Sequence, residues 1–129
     1  MNGRSAIFGL WGFIVGSVLT GSLLPANLPL MVAVGRLQIN DKVLHFGAYF
    51  ALAFLPVIGF QDRRTGYLVG VSMFALGLLL ELGQFFSPGR AADLADVAAN
   101  GLGIGCGTIM GLVVRAWLGP ARTNPPLAP

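Results

Sequence analysis

Residues 43–60 read VLHFGAYFALAFLPVIGF and contain no aspartate, glutamate, lysine or arginine. A helix that crosses the hydrocarbon core of a bilayer needs about 20 mostly apolar residues. These charged residues are also missing from three other stretches, at 5–35, 65–80 and 97–114. The sequence therefore predicts four transmembrane helices, with apolar spans at Ala6–Leu24, Val43–Phe60, Gly66–Phe86 and Leu94–Leu118.

The composition of the chain agrees with this prediction. Hydrophobic residues make up 55% of the 129 residues and charged residues only 10%, whereas soluble domains carry about 25% charged residues. The mean hydropathy is +0.77. This composition argues against a soluble enzyme, and the 8 basic residues form no stripe that would bind nucleic acid. The single cysteine, Cys106, allows neither an intrachain disulfide nor a cysteine-based zinc site.

Together these patterns predict an all-α fold, an integral membrane four-helix bundle formed by residues 1–118. The Pro-rich residues 119–129 show no hydrophobic periodicity, and we expect them to form a disordered tail. The first apolar run has about 19 residues, more than the roughly 7–15 of a cleavable signal peptide. We therefore expect the first helix to be retained.

Lysines and arginines near the ends of the spans predict the orientation of the bundle, because they are more frequent on the cytoplasmic side. One side of the membrane would carry Arg4, Arg63, Arg64, Arg115 and Arg122, and the other only Arg36, Lys42 and Arg90. We therefore expect both termini in the cytoplasm, with the 25–42 connection and the 87–93 turn outside.

Glycines repeat at intervals of four residues in two of the spans. The fourth span contains Gly103, Gly107 and Gly111, and the first contains Gly12 and Gly16. Small residues at this spacing share one face and let two helix backbones approach closely. We predict helix-packing faces at both places, with a partner in this chain or in another. For the first span, the general abundance of glycine is an equally good explanation.

Polar residues in the spans concentrate near one side of the membrane. Such residues are costly in hydrocarbon, so each needs a partner or a function. In the predicted topology they lie within roughly 12 Å of the outer boundary, at a rise of about 1.5 Å per residue. The candidate ligand-binding residues of this layer and its rim are Asp41, Lys42, His45, Tyr49, Glu81, Gln84, Arg90, Asp93, Asp96 and Asn100.

Several of these residues also have a structural explanation. Asn40 or Asp41 can cap the second helix, and Asp93 with Asp96 resembles a capping box. The histidine, the tyrosine and the asparagine of the set can join helices by hydrogen bonds.

Glu81 follows three leucines inside the third span and cannot cap that helix. We expect it to pair with Arg90, Lys42 or His45, or to share a proton. His45 with Glu81 or Asp96 could act as a general acid–base pair, and these three are the candidate catalytic residues. The same three could hold a metal, but there is one histidine and no HExxH spacing. We therefore assign no metal and no cofactor.

Three segments resemble the motifs of the VanZ-like membrane protein family. Residues 41–50, DKVLHFGAYF, resemble its DKxxHxxxYF opening. Residues 81–90, ELGQFFSPGR, resemble its ExxQ…PGR segment, and residues 93–103, DLADVAANGLG, its D…DxxANxxG segment. The three motifs occur in order over about residues 40–110, so the resemblance is specific.

The resemblance implies a small multi-helix protein of the bacterial cytoplasmic membrane. The family is named for a protein linked to teicoplanin resistance. The resemblance also implies that the polar residues of the three motifs form a functional set. It leaves open whether they catalyse a reaction, bind a ligand or hold helices together.

Three functions fit these observations. The chain could bind an amphiphile, such as a lipid-linked cell-wall precursor or the acyl chain of a lipoglycopeptide, with Arg36, Lys42 and Arg90 near the phosphate level. It could instead be an accessory subunit that docks onto other membrane subunits through its glycine faces, or an intramembrane enzyme acting on a lipid headgroup. We predict the first, and we expect membrane lipids as partners but no nucleic acid.

Overall fold

The computed structural model describes residues 3–87, 89 and 91–119. Within these residues the chain forms helices and no strand: α1 (Gly3–Leu23), α2 (Pro29–Gly35), α3 (Asp41–Gly59), α4 (Arg63–Gln84) and α5 (Leu94–Leu118). The four longer helices are long and apolar enough to cross a membrane. The predicted all-α class, with four helices of this kind, is therefore confirmed. Arg90 and the 120–129 tail lie outside the described residues.

The short helix α2 lies in the 25–42 connection, where we predicted no helix. Pro29 occupies its first turn, a position that suits proline because the N–H groups there have no helical partner. With only 7 residues, α2 is too short to cross a bilayer.

Contacts at both ends show that consecutive long helices run in opposite directions. The rings of Phe8 and Phe60 lie 4.9 Å apart, which places the start of α1 beside the end of α3. At the other end, Ser87 Oγ donates a 3.3 Å hydrogen bond to the carbonyl of Leu23. This bond places the end of α4 beside the end of α1. We call the end where α3 and α5 begin and α4 finishes the polar end. The opposite end, which contains Arg63, Arg64 and Arg115, is the basic end.

The predicted glycine face of the fourth span packs against α3 of the same chain. A Cβ atom at Gly103 would collide with the carbonyl oxygen of Phe46, and one at Gly107 with that of Phe50. Gly111 faces α3 in the same way. The backbones of α3 and α5 therefore approach more closely than any larger residue at these positions would allow.

A second glycine face, on α4, also packs against α3 and was not predicted. A Cβ atom at Gly66 would lie 2.7 Å from the carbonyl oxygen of Pro56, and one at Gly70 3.2 Å from that of Ala53. The spacing of Gly66 and Gly70 is the same four-residue interval that identified the face on α5. The signal was therefore present in the sequence.

The helix α1 lies at the edge of the bundle and has no buried residue. A Cβ atom at Gly12 or Gly16 would have nothing within 4 Å. The packing face predicted there consequently has no partner helix in the part of the chain that the structure describes. Trp11 links α1 to the core through a 3.0 Å hydrogen bond from its Nε1 to the carbonyl of Leu52 on α3.

Three of the helices begin at a polar side chain that accepts from main-chain N–H groups of the first turn. Asn40 caps α3, which decides between Asn40 and Asp41, while Asp62 caps α4 and Asp93 caps α5. Hydrogen bonds from the hydroxyl and the main-chain N–H of Thr65 hold the pKa of Asp62 below its ordinary value of 3.8.

Candidate functional site

Polar side chains from three helices meet at the polar end, because α3 and α5 begin there and α4 finishes there. Glu81, Gln84, Asp96 and Asn100 are buried, and His45 is mostly covered. We define the polar cluster as the predicted ligand-binding residues that the structure describes: Asp41, Lys42, His45, Tyr49, Glu81, Gln84, Asp93, Asp96 and Asn100.

His45 joins α3 to α5. Its Nδ1 lies 2.9 Å from Oδ1 of Asn100. Because an amide oxygen only accepts hydrogen bonds, Nδ1 carries the proton and donates it to this oxygen. The other ring nitrogen, Nε2, lies 3.8 Å from a carboxylate oxygen of Asp41 and 3.8 Å from one of Asp96.

Lys42 provides a second link between α3 and α5. Its ammonium donates to Asp93 Oδ2 at 2.6 Å and to Asp96 Oδ1. The Lys42 ammonium, helped by the main-chain N–H of Ala95, holds the pKa of Asp93 below its ordinary value of 3.8. Asp96 is buried, so this pairing offsets the cost of placing its charge away from water. Lys42, which we predicted at the rim as a phosphate contact, is thus already bound to two carboxylates.

Glu81 connects α4 to the beginning of α5. Its Oε1 accepts a 2.7 Å hydrogen bond from the main-chain N–H of Asp93. In the predicted capping box, the side chain of Asp96 would have accepted the hydrogen bond from that N–H. This prediction was wrong, because Asp96 binds Lys42 and Glu81 of the neighbouring helix takes the N–H instead.

Tyr49 is the cluster residue of α3 that lies farthest from the start of the helix, and only 2% of its surface is exposed. A Cβ atom at Gly77 of α4 would lie 2.9 Å from the Tyr49 hydroxyl oxygen. Gly77 therefore makes room for the phenol ring between the two helices. Sequence reasoning did not find Gly77, although it lies one helical turn before Glu81 on the same face of α4.

The described part of the polar end carries more negative than positive groups. Its carboxylates are Asp41, Glu81, Asp93 and Asp96, whereas its described basic residues are Arg36 and Lys42. This excess of negative charge favours groups that carry positive charge or donate hydrogen bonds over a bare anion.

A groove of about 350 Å³ lies between α4 and α5 beside the polar cluster. Ligand pockets span about 300–1,000 Å³, so the groove is large enough for part of a small molecule or for one acyl chain. Two carboxylates, those of Glu81 and Asp93, line it together with the apolar residues Leu78, Leu82, Phe85, Ala92, Leu94 and Val97.

The sequence model of a known family, described as VanZ/LLP1, matches residues 7–115. The chain belongs to the VanZ/LLP1 family. The match runs from α1 to the last turn of α5 and includes every residue of the polar cluster. The family inferred from the three motifs is thus confirmed. No match was found among curated proteins or among solved structures.

The geometry of this VanZ/LLP1 protein bears on the enzyme hypothesis. A histidine that a carboxylate orients for acid–base catalysis lies within hydrogen-bond distance of that carboxylate, about 2.6–3.2 Å. His45 Nε2 and Asp96 lie 3.8 Å apart, and Glu81 is bonded to the main chain of Asp93. The described contacts are those of a pre-formed polar network between helices.

Two polar features of the VanZ/LLP1 bundle were not expected. Asp41, rather than Glu81, completes the group of potential metal ligands with His45 and Asp96. The spacing of Asp41 and His45, one helical turn apart, carries this signal in the sequence. Thr108 is also buried, and its hydroxyl has no hydrogen-bond partner among the described residues.

Proposed function

We propose that this VanZ/LLP1 protein binds an amphiphile at the outer face of the bacterial cytoplasmic membrane. The observation that carries the proposal is the largely apolar groove between α4 and α5, which opens beside a buried polar cluster. An acyl chain in the groove would place its polar head next to the carboxylates of Glu81 and Asp93.

The charge of the site indicates the type of head group. Carboxylates accept hydrogen bonds, so they suit hydroxyl, amide and ammonium groups. Lys42, the cation expected to meet phosphate, is held by Asp93 and Asp96. An acylated glycopeptide of the teicoplanin type has this chemistry, since it carries an apolar chain on a head rich in N–H and O–H groups. A lipid-linked cell-wall precursor also has such a head, but phosphate joins that head to its chain.

Basic residues support an orientation with the polar end outside. Arg63 and Arg64 lie in the first turn of α4, and Arg115 lies in the last turn of α5, all at the basic end. Positive residues favour the cytoplasmic side. Both termini would then lie in the cytoplasm, and the polar cluster would be accessible from the outer leaflet.

The proposal is tested by native mass spectrometry of the purified chain. The probes are a lipid-linked cell-wall precursor, an acylated glycopeptide and the same glycopeptide without its acyl chain. We expect saturable binding of the precursor or of the acylated glycopeptide, lost in Leu78→Trp, which fills the groove. Leu79→Trp is the matched control, because Leu79 is the next leucine of α4 and does not line the groove. Equal binding in the two variants, or no binding of either the precursor or the acylated glycopeptide, would refute the proposal.

A role in glycopeptide resistance depends on whether the acylated glycopeptide or the precursor binds. If it is the glycopeptide, expression of the chain raises the minimal inhibitory concentration of the acylated form and not of the form without the chain. The Leu78→Trp variant then loses this protection while it is still inserted in the membrane. Binding of the precursor alone would separate the protein from the antibiotic.

A second candidate function is that of an accessory subunit, favoured by the lack of buried residues on α1. Helices in lipid associate through small residues, and Gly12 and Gly16 have open space around them. Native mass spectrometry of the chain from its own membranes would detect partner subunits in fixed stoichiometry. Their loss in Gly12→Leu, with Gly3→Leu as the control, would support this function over the first.

A further inference from the structure

Three potential metal ligands face one another at the polar end. One oxygen of Asp41, the Nε2 of His45 and one oxygen of Asp96 all lie within 4.8 Å of one another. They come from the first two turns of α3 and the first turn of α5. The group is therefore formed by the packing of two helices and not by one acidic loop.

Asn100 fixes the orientation of the His45 ring through a hydrogen bond from Nδ1. With the Nδ1 proton donated to Asn100 Oδ1, Nε2 on the opposite side of the ring is the nitrogen that can bind a metal ion. Histidine ligands of metals usually donate their other ring N–H to an oxygen in this way, which fixes the tautomer and the ring orientation. Here Nε2 lies 3.8 Å from each of two carboxylates.

The bonds of Lys42 leave one oxygen of Asp96 available. Lys42 binds Oδ1 of Asp96, whereas the oxygen that faces His45 is Oδ2. The side chain of Asp96 is 7% exposed, and that of Asp41 is 64% exposed. The buried carboxylate provides a fixed ligand, and the exposed one can rotate to close the site.

We propose that Asp41, His45 and Asp96 bind a divalent first-row transition metal ion of the Zn²⁺ type. Imidazole suits Zn²⁺ and its neighbours, and carboxylates complete such sites. A metal ion would stabilise Nε2 of His45 and the two carboxylates that lie 3.8 Å from it, and it would offset the local negative charge. Three protein ligands leave a coordination position open for water. The site does not depend on the proposed amphiphile, because it is formed by the protein alone.

The experiment titrates Zn²⁺, and separately Co²⁺, into the purified full-length chain after chelator treatment. Every sample carries Cys106→Ser, which removes the thiol as an alternative ligand. Calorimetry gives the affinity for Zn²⁺, the visible absorption of Co²⁺ reports the ligand geometry, and the melting temperature reports stabilisation of the fold. No amphiphile is added, so failure here is separate from failure of the proposed function.

Asp41→Asn is the decisive variant, because the side chain is exposed and asparagine keeps its size. Asp62→Asn is the matched control, since Asp62 is an aspartate at the start of α4 at the opposite end. We expect one Zn²⁺ per chain, and an affinity at least about tenfold weaker in Asp41→Asn but unchanged in Asp62→Asn. We also expect His45→Ala to lose the Co²⁺ spectrum. No binding, or equal affinities in the Asp41 and Asp62 variants, would overturn the proposal.

Discussion

The indole Nε1 of Trp11 donates its 3.0 Å hydrogen bond to the carbonyl of Leu52, which a proline leaves without its helical donor. In a regular helix the N–H four residues later would bond to this oxygen, but Pro56 occupies that position and has no N–H. Leu52 is fully buried. An unpaired carbonyl in the apolar core is costly, and Trp11 of the neighbouring helix removes that cost.

Trp11→Phe should therefore destabilise the bundle by about 1–3 kcal/mol, the cost of leaving a buried polar group unsatisfied. Unfolding by SDS or heat in detergent measures the change. Trp117→Phe is the matched control, because Trp117 is 86% exposed. If both variants unfold at the same SDS concentration or temperature as the unchanged protein, the hydrogen bond does not hold α1 in place.

A methyl group at Gly107 should destabilise the bundle. A Cβ atom there would overlap the carbonyl oxygen of Phe50, so Gly107→Ala should cost about 1–3 kcal/mol through forced separation of α3 and α5. Gly105→Ala, on the same helix, has nothing within 4 Å of the added atom and should be neutral or slightly stabilising. The two melting temperatures in detergent decide the point; equal values would contradict the described packing.

The bond between Lys42 and Asp93 should make stability depend on acidity. The pKa of Asp93 is lower in the folded state than its ordinary value of 3.8. A lowered pKa means that the contribution of the bond to stability is complete above this ordinary value and is lost as the pH falls through the folded value. Below about pH 4 the melting temperature should fall less for Asp93→Asn than for the unchanged protein, because asparagine keeps the helix cap but cannot lose this charge. Identical pH curves for the two proteins would show that the bond contributes nothing.

Two glutamines test the orientation. Gln38 lies before α3 at the polar end, and Gln61 lies between α3 and α4 at the basic end. In a Cys106→Ser background, a membrane-impermeant maleimide should label Gln38→Cys in intact cells and Gln61→Cys only after the cells are opened. The reverse pattern would place the polar cluster in the cytoplasm.

Much of the architecture follows from local sequence patterns. Charge-free stretches predict the four long helices, since the bilayer sets their length. The four-residue spacing of Gly103 and Gly107 predicts a close helix contact, but spacing alone does not identify the partner. That partner is α3, because its Phe46 and Phe50 carbonyls face α5.

The pairings within the site were less predictable, because they depend on how the helices rotate against each other. Periodicity brings Asp96 and Glu81 to the same level of the bundle. It does not decide which of the two side chains accepts a hydrogen bond from the main-chain N–H of Asp93. The structure assigns that N–H to Glu81, and Asp96 then pairs with Lys42. These pairings depend on the rotation of α5 against its neighbours, and no local pattern in the sequence specifies that angle.

The proposed function requires that an amphiphile lies in the groove with its head at the polar cluster. Its most direct test is a photo-crosslinking amino acid placed at Leu82, which lines the groove, or at Leu79, which is an exposed leucine of the same helix outside it. After irradiation of living cells, mass spectrometry identifies the attached molecule. We predict one amphiphile with a head rich in N–H and O–H groups at position 82 and only bulk phospholipid at position 79. The same bulk phospholipids at both positions would contradict it.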